Sequence, residues 1–337
     1  MHICQVIASY GTGGMEGHIV ALCEALSLEH QVTVLAPPWF AGRFSDRVHV
    51  VPMKGLLGSR FSPFARFSLW RQLRRLNPDV VHAHGGKAAR FLAAPFLFDR
   101  FKRVATVHGV KRHCGFLKRF DRVICVSKVV AEQLGDIPVD IILNGVSHPE
   151  KIPCGNKTVH APIQVIAVGR LVPVKGFDVL LNAWVHVREA RLTLVGDGPE
   201  RQALEALAGK LKIKDRIAFA GLRSDVPALL AGSDLVVISS RREGMSLVFI
   251  EALHARRQVV STAVGGMRDM LPPDFLAPPE DPVALASAIN HALSSWNESN
   301  ALFEPLWNMA KAELTIEAMA KKTLSVYKGV VETRSPA

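Results

Sequence analysis

Both halves of the 337-residue chain alternate short apolar runs with segments of helical periodicity, and no other feature restricts the fold as strongly. Neighbouring parallel strands need a crossover connection, usually a helix, so this alternation predicts parallel sheets covered by helices. The pattern begins with an apolar strand at 2–9 and restarts at 163. Between the halves, 144–162 lacks periodicity and is rich in Gly, Pro, His and Lys, which is typical of a linker. The expected fold class is therefore α/β, with two domains that each contain a parallel sheet.

Length and composition agree with a folded two-domain protein. A chain of 337 residues is too long for one ordinary core, and 49% hydrophobic with 21% charged residues is a normal globular composition. The five cysteines include no C-x-x-C pair, which favours reduced thiols in a cytosolic protein. No basic region precedes the first strand and no apolar run reaches 18 residues, so neither a signal peptide nor a membrane span is expected.

Positive charge is concentrated in the first half. The chain has a net charge of +11, and residues 1–150 hold 19 Lys or Arg against 11 Asp or Glu. No acidic residue occurs between Asp46 and Asp79, where seven cations alternate with aromatic side chains. These residues are Arg47, Lys54, Arg60, Arg66, Arg71, Arg74 and Arg75, with Phe61, Phe64, Phe67 and Trp70. A second basic cluster, of eight Lys and Arg, lies between 100 and 122.

Such a surface suits an anionic partner, and we expect an acidic membrane surface or a phosphorylated acceptor. A solvated basic face and a nucleic acid are the alternatives, and we expect no nucleic acid. Apolar residues at every third position from 64 to 76 predict a helix. This spacing suits a helix packed on a sheet as well as one lying on lipid.

Residues 243–251 contain two carboxylates eight positions apart. Glu243 follows an apolar run in a Gly-containing loop, and Glu251 lies inside a helix for which Ser246 is a good N-cap. The first N–H groups of that helix, at about 245–248, offer a binding site for an anion. A nucleotide sugar needs this arrangement, with its diphosphate at the helix end and its ribose and sugar hydroxyls on the two carboxylates.

Two cations precede a helix at the start of the second half. Arg170 follows a predicted strand and Lys175 precedes a helix, so both should project at the carboxyl edge of the sheet, where such folds bind ligands. They suit a diphosphate, although a pair of exposed surface cations is the alternative. The chain has no Asp-x-Asp motif for a metal-bridged diphosphate. We therefore expect no metal and no cofactor, and the two cations with the helix end must neutralise the diphosphate.

The first half has its own candidates at predicted strand ends. A loop with Gly11, Gly13 and Gly14 links the first strand to a helix, which suggests close approach of a ligand or merely a connection. Two further strands end at His84 and His108. These histidines are structural by default, and a metal is not expected because no third ligand is close in sequence.

Taken together, these motifs resemble glycosyltransferase family 4, whose members are retaining enzymes of the GT-B architecture. The motifs are Gly13-Gly14-Met15-Glu16, His108-Gly109, Asn144-Gly145-Val146, Gly169-Arg170, Lys175-Gly176, Gly196-Asp197-Gly198-Pro199 and the Glu243–Glu251 pair, which occur in the family's order. The resemblance implies two Rossmann-like domains facing across a cleft. It predicts an acceptor-binding domain at 1–150, a nucleotide-sugar domain at 151–310, and a final helix within 311–337 that returns to the first domain.

The resemblance also implies roles for single residues. Arg170 and Lys175 would hold the donor diphosphate, and Glu251 would bind the ribose. Glu243 and His108 would be the catalytic pair that orients and polarises the transferred sugar. The implied donor-binding residues are Gly14, Arg170, Lys175, Met245, Ser246, Leu247 and Glu251. The candidates on the acceptor side are Glu16, His84 and Lys87.

The activity expected from this resemblance is transfer of a hexose from a nucleotide diphosphate sugar, with UDP favoured over GDP. The acceptor would be a lipid-linked or lipopolysaccharide-core glycan, and the enzyme would be cytoplasmic, bound to the inner face of the plasma membrane. The alternatives are an NAD-dependent oxidoreductase or epimerase and a non-catalytic nucleotide-sugar-binding protein. Tyr10 and Tyr327 are the only tyrosines, which argues against an oxidoreductase that needs a catalytic Tyr–Lys pair.

Overall fold

The computed structural model describes residues 1–11, 13–94, 101–109, 113–147 and 162–333, without the side chain of Asn297. They form two compact units. The first unit comprises Met1–Gly145 and the chain from Ile316 onwards, and the second comprises Val146–Thr315. Most of the expected linker, with Cys154, lies outside the described residues, as do Arg100, Lys111 and Arg112 of the second basic cluster.

The first unit is built on a seven-stranded sheet in which all neighbouring strands are parallel. Their order is β3-β2-β1-β4-β5-β6-β7. The strands are β1 His2–Ile7, β2 Gln31–Ala36, β3 Val48–Pro52, β4 Val80–His84, β5 Lys102–Val107, β6 Arg122–Cys125 and β7 Val139–Ile141. The helices before the interdomain region are α1 Gly14–Leu26, α2 Pro63–Leu76, α3 Gly85–Leu92 and α4 Lys128–Glu132.

The second unit has a six-stranded parallel sheet in the order β10-β9-β8-β11-β12-β13. Its strands are β8 Ile163–Val168, β9 Ala190–Val195, β10 Ile217–Gly221, β11 Leu235–Ile238, β12 Gln258–Thr262 and β13 Leu276–Ala277. Its helices are α5 Phe177–Trp184, α6 Arg201–Lys210, α7 Val226–Gly232, α8 Leu247–His254, α9 Gly265–Met270, α10 Pro282–Ser294 and α11 Trp296–Glu313. The predicted fold class, two parallel-sheet Rossmann-like units, is confirmed.

The last helix, α12 Ile316–Glu332, belongs to the first unit, where it packs against α1. Its Tyr327 side chain is fully buried in the same core as Ile3, Ile19 and Leu22. Burying an aromatic side chain of this size contributes roughly 2–3 kcal/mol.

Local signals explain where α2 begins and ends. Ser62 caps its start by accepting a hydrogen bond from the Ala65 N–H at 3.3 Å, and Pro63 occupies the first helical position. Asn77 ends the helix in the left-handed conformation. The buried face of α2 consists of Ala65, Leu69 and Leu73. Of the apolar residues at every third position from 64, only Leu73 belongs to this face.

Three short elements, β3, β13 and α9, were not predicted from the sequence. The strand β3 was not expected, because it is short and ends in proline at the edge of the sheet, where little hydrophobic alternation is needed. The helix α3 ends at Leu92, and residues 95–100 lie outside the described residues. Across the described parts of the chain, no helix is both long enough and apolar enough to cross a bilayer.

In each sheet the strand order reverses once, between β1 and β4 in the first unit and between β8 and β11 in the second. Open parallel sheets bind ligands outside the carboxyl ends of the strands at this reversal, where the flanking loops diverge. The residues that follow these four strands therefore define where a site can form in each unit.

Candidate functional site

In the second unit, the loops after β8 and β11 bring Lys175 and Glu243 together. Lys175 ends a short 3-10 helix, and its Nζ lies 2.5 Å from Oε1 of Glu243. The Ser240 hydroxyl donates a hydrogen bond to the same oxygen at 2.9 Å. Both charged side chains are largely buried, with exposed fractions of 27% for Lys175 and 14% for Glu243. A cation and a carboxylate thus share one half-buried position at the reversal of strand order.

Arg241 fixes the loop that carries Lys175. Its guanidinium donates to both carboxylate oxygens of Asp178, at 2.8 and 2.7 Å, and also to Glu280 and to the Pro173 carbonyl. These hydrogen bonds raise the pKa of Arg241 and lower the pKa of Asp178. The backbone N–H of Arg241 also donates to the Val174 carbonyl at 2.8 Å. Arg241 and Ser240 were not predicted from the sequence, although both follow a strand end as Arg170 does.

Gly176 allows this loop to turn against its neighbour. It adopts φ +63°, and a Cβ at this position would lie 2.2 Å from the carbonyl oxygen of Ser239. Residues with a Cβ rarely adopt such a φ. A Cβ at 2.2 Å from a backbone oxygen could be accommodated only if the backbone moved. The sequence Lys175-Gly176 therefore serves a close approach between the loops after β8 and β11.

Arg170 lies on the exposed side of the same edge. It is the second residue after β8, and it forms no ion pair among the residues that the structure describes. The next residue, Leu171, donates its N–H to the Asp197 carbonyl at 2.9 Å and accepts from the Glu200 N–H at 3.1 Å. These bonds tie the Arg170 turn to the loop after β9.

The start of α8 has the geometry expected for an anion site. Ser246 caps it, its hydroxyl accepting from the Phe249 N–H at 3.4 Å. Met245 and Ser246 are buried and Leu247 is partly buried. The first N–H groups of an α-helix have no acceptor within the helix, and they carry its positive dipole end. Glu251, one turn further on, is partly buried, and this burial raises the pKa of its carboxyl group.

In the first unit, Glu16 holds the glycine-rich loop. Its carboxylate accepts from the Gly13 N–H at 2.9 Å and from the Ser9 hydroxyl, and its side chain is buried at the first turn of α1. Gly14 begins that helix. Lys87 donates from Nζ to the Leu57 carbonyl at 2.7 Å, and burial lowers its pKa. Glu16 therefore organises the loop after β1, and Lys87 ties α3 to the segment that follows β3.

The histidines of the first unit lie close together at the carboxyl ends of β4 and β5. Nδ1 of His84 lies 3.3 Å from Nε2 of His108, and Nε2 of His84 lies 2.8 Å from Oε1 of Gln5. His84 is buried, whereas His108 is partly exposed. Burial, reinforced by the neighbouring histidines, lowers the pKa of His84 well below its usual value. His84 is therefore neutral at pH 7.

Two family models match the chain, one on each unit. "Glycosyltransferase Family 4" matches residues 12–149, and "Glycosyl transferases group 1" matches residues 162–295. The sequence is 29% identical over 213 residues to the lipopolysaccharide core biosynthesis glycosyltransferase LpsD of Rhizobium meliloti, covering 60% of this chain and 61% of that relative. It is 28% identical over 357 residues to a phosphatidylinositol N-acetylglucosaminyltransferase from Arabidopsis thaliana, covering 94% of this chain and 78% of that relative.

Solved structures share the fold. A glycosyltransferase from Rickettsia africae has a TM-score of 0.84 at 20% identity, covering 99% of both chains. Anabaena Alr3699/HepE in complex with UDP has a TM-score of 0.80 at 20% identity, covering 98% of this chain and 100% of its own. The fold of two parallel-sheet units is therefore that of glycosyltransferase structures.

Proposed function

The chain belongs to the family 4 glycosyltransferases, and from this premise we propose that it transfers a hexose from a nucleotide diphosphate sugar to a lipid-linked or lipopolysaccharide-core glycan. The observation that carries the proposal is the Lys175–Glu243 pair, which lies at the reversal of strand order, with Lys175 shortly before α5 and Glu243 shortly before α8. Family membership places the chain among sugar-transferring enzymes and apart from NAD-dependent oxidoreductases.

Lys175 and Arg170 would neutralise the diphosphate together with the N–H groups at the start of α8. Without a donor, the Lys175 ammonium is paired with Glu243. A bound diphosphate would be its second anionic partner, and Glu243 would then face the sugar hydroxyls. Transfer with retention would break the bond between the anomeric carbon and the diphosphate oxygen. The acceptor oxygen would bond to that carbon on the same face, and its proton would pass to the departing diphosphate. Glu243 and His108 would orient and polarise the sugar.

Binding of nucleotides tests the donor class. UDP lies in the related HepE structure, which supports UDP over GDP as the donor nucleotide. In calorimetry with the intact protein we expect UDP to bind with a Kd at least about tenfold below those of GDP and NAD, a difference of about 1.4 kcal/mol. Tighter binding of GDP would change the assigned base, and tighter binding of NAD would contradict the donor assignment altogether.

Metal dependence is a separate part of the proposal. Because the chain lacks an Asp-x-Asp motif, the charge on the leaving diphosphate would be balanced by Arg170, Lys175 and the start of α8. We expect treatment with EDTA to cause no loss of transfer rate. Loss of activity on chelation, restored by Mg²⁺ or Mn²⁺, would contradict this assignment.

Glu251 gives a prediction in which stability and binding change in opposite directions. Burial raises the pKa of its carboxyl group above the usual 4.5. The folded protein therefore holds that proton more tightly than the unfolded chain, so ionisation of Glu251 lowers stability as the pH rises through this window. We expect Glu251→Gln to raise the melting temperature at pH 7 and to leave it unchanged near pH 4.

The same substitution should weaken UDP binding about 10–100-fold, because ribose hydroxyls lose charged acceptors worth about 1.5–3 kcal/mol. Melting curves at the two pH values and calorimetry with UDP measure the two effects on one preparation. Glu205→Gln, at a partly exposed position of α6 where the carboxylate pairs with Arg201, provides the control, for which both changes should be small. Unchanged UDP affinity in Glu251→Gln would contradict the ribose assignment.

The acceptor and the location are proposed from relatives and from the surface of α2. The similar proteins are named for lipopolysaccharide core and for phosphatidylinositol, both of which reside in membranes. Phe61, Phe64 and Phe67 are exposed to 65%, 85% and 58%. Arg60 and Arg66 lie over the Phe61 ring, and Arg74 lies over Trp70. Exposed aromatic rings among arginines suit an anionic bilayer surface, in agreement with a place on the inner face of the plasma membrane.

Liposome flotation tests this surface. We expect the protein to float with vesicles containing anionic lipid and to remain behind with neutral vesicles. The double change Phe64→Ser and Phe67→Ser should lower recovery about tenfold or more, because each buried aromatic side chain contributes roughly 1.5–3 kcal/mol. Leu222→Ser, with 84% exposure in the second unit, is the matched control and should float normally. Equal recovery on neutral and anionic vesicles would contradict the electrostatic part of the proposal.

A further inference from the structure

Three histidines from three elements of the first unit converge at one point. Among the described residues, His18, His84 and His108 each place one ring nitrogen within 4.8 Å of the others. His18 comes from α1, His84 from the end of β4, and His108 from the residue after β5. The ring centre of His108 lies 4.7 Å from that of His18 and 5.5 Å from that of His84. His18 was not predicted as a member of this cluster, because it lies 66 residues before His84 in the sequence.

We propose that His18, His84 and His108 form a binding site for one divalent transition-metal ion of the zinc class. Imidazole nitrogens suit Zn²⁺, Ni²⁺ and Cu²⁺, whereas Mg²⁺ and Ca²⁺ prefer oxygen ligands. A tetrahedral zinc ion with bonds of about 2.0–2.1 Å separates two ligand nitrogens by about 3.3–3.4 Å. The two nitrogens of His84 and His108 already lie 3.3 Å apart.

A hydrogen-bond network leaves Nδ1 of His84 available as a ligand. The Gln5 side-chain oxygen can only accept, so Nε2 of His84 carries the proton in their 2.8 Å hydrogen bond. The Gln5 amide donates to the Tyr327 oxygen at 3.1 Å, and the Tyr327 hydroxyl lies 2.6 Å from Nδ1 of His82. A carbonyl that accepts the second ring N–H is the usual partner of a metal-bound histidine, because it sets the tautomer and the ring orientation.

His18 encloses the point where the rings meet. Its side chain is only 4% exposed, and one of its ring nitrogens lies within 4.8 Å of the ligand nitrogens of His84 and His108. The Asn144 side chain is a hydrogen-bonding neighbour of the same ring. The ion would reach the site from the side of His108, the one partly exposed member of the three.

The three ligands would not fill the coordination of such an ion. Three histidine ligands leave a fourth position on a tetrahedral ion open to water or to an oxygen ligand.

Calorimetry on untagged, EDTA-treated full-length protein tests the site. We expect one Zn²⁺ per chain, no comparable binding of Mg²⁺, and a melting temperature that rises with Zn²⁺ concentration. His18→Gln and His108→Gln should each weaken the affinity more than about 100-fold, since even outer partners of a metal site change affinity 10–100-fold. His186→Gln removes an exposed histidine of the second unit and should bind Zn²⁺ as the unchanged protein does.

Circular dichroism keeps the result interpretable, because a folded variant that has lost Zn²⁺ has lost a ligand and not its structure. His108→Gln changes a partly exposed side chain and so carries the smaller risk of misfolding. Zinc binding that is absent, or equal in His18→Gln and His186→Gln, would overturn the proposal and leave the cluster as a hydrogen-bonded network.

One consequence rests on the proposed function. If His108 contacts the transferred sugar, an ion held by its Nε2 should inhibit transfer, and EDTA should reverse the inhibition. Binding that depends on His18 without inhibition would uphold the metal site and remove the sugar contact from His108. The two proposals therefore fail on different measurements.

Discussion

Replacing Lys175 by alanine is expected to lower the transfer rate by about 10²–10³-fold, the usual effect of removing one preorganised group that stabilises developing charge. The ammonium lies 2.5 Å from Glu243 in a half-buried position, where electrostatic interactions are less screened than in water. The departing diphosphate gains negative charge in the transition state. Removing the Lys175 ammonium should therefore lower kcat more than it changes substrate binding. Rates with saturating UDP-sugar and acceptor measure the change.

The fold should tolerate this substitution. The pair is half-buried, so its loss should cost more than the roughly 1 kcal/mol or less of an exposed ion pair but less than the roughly 3–5 kcal/mol of a fully buried one. Glu243 also keeps its hydrogen bond from Ser240. Lys210→Ala, an exposed lysine at the end of α6, removes the same charge elsewhere in the unit and should keep the full rate. Lys175→Ala with an intact rate would end the assignment of Lys175 to the diphosphate.

The strand–helix alternation predicted both sheets except for the edge strands β3 and β13, because parallel strands inside a sheet are buried on both faces and so appear as continuous apolar runs. The same rule put Arg170, Lys175 and Glu243 at one edge, since each follows or closely precedes an element that ends or starts there. The structure brings Lys175 and Glu243 into contact, 68 residues apart in sequence. Their roles toward a nucleotide sugar stay predictions.

Other features depend on contacts that no local pattern reports. Arg241 meets Asp178 and Glu280, which are 63 and 39 residues away, so its bracing role is visible only once the loops are in place. On α2, two apolar stripes compete. The stripe of Ala65, Leu69 and Leu73 is buried and leaves Phe64 exposed, because helical periodicity alone does not say which side meets the sheet.

Replacing Gly196 by alanine is expected to destabilise the second unit by about 3 kcal/mol or more, which corresponds to a fall of roughly 10 °C in melting temperature. Gly196 has φ +135°, and an added Cβ would lie 1.9 Å from the carbonyl oxygen of Gly169. Gly196 cannot shift easily to relieve this clash, because its own N–H donates a hydrogen bond to the Gly221 carbonyl at 2.8 Å. The turn that carries Arg170 must therefore move or the strand pairing must open.

Gly209→Ala makes the same chemical change where the structure offers room. Gly209 lies inside α6, and a Cβ there would meet no atom within 4 Å. Alanine is the better helix former by about 1 kcal/mol, so this variant should melt at a higher temperature than the unchanged protein. Thermal melts of the two variants should thus shift in opposite directions. If Gly196→Ala melted like the unchanged protein, the close crossing of the loops after β8 and β9 would be contradicted, and with it the physical basis for holding Arg170 at the diphosphate.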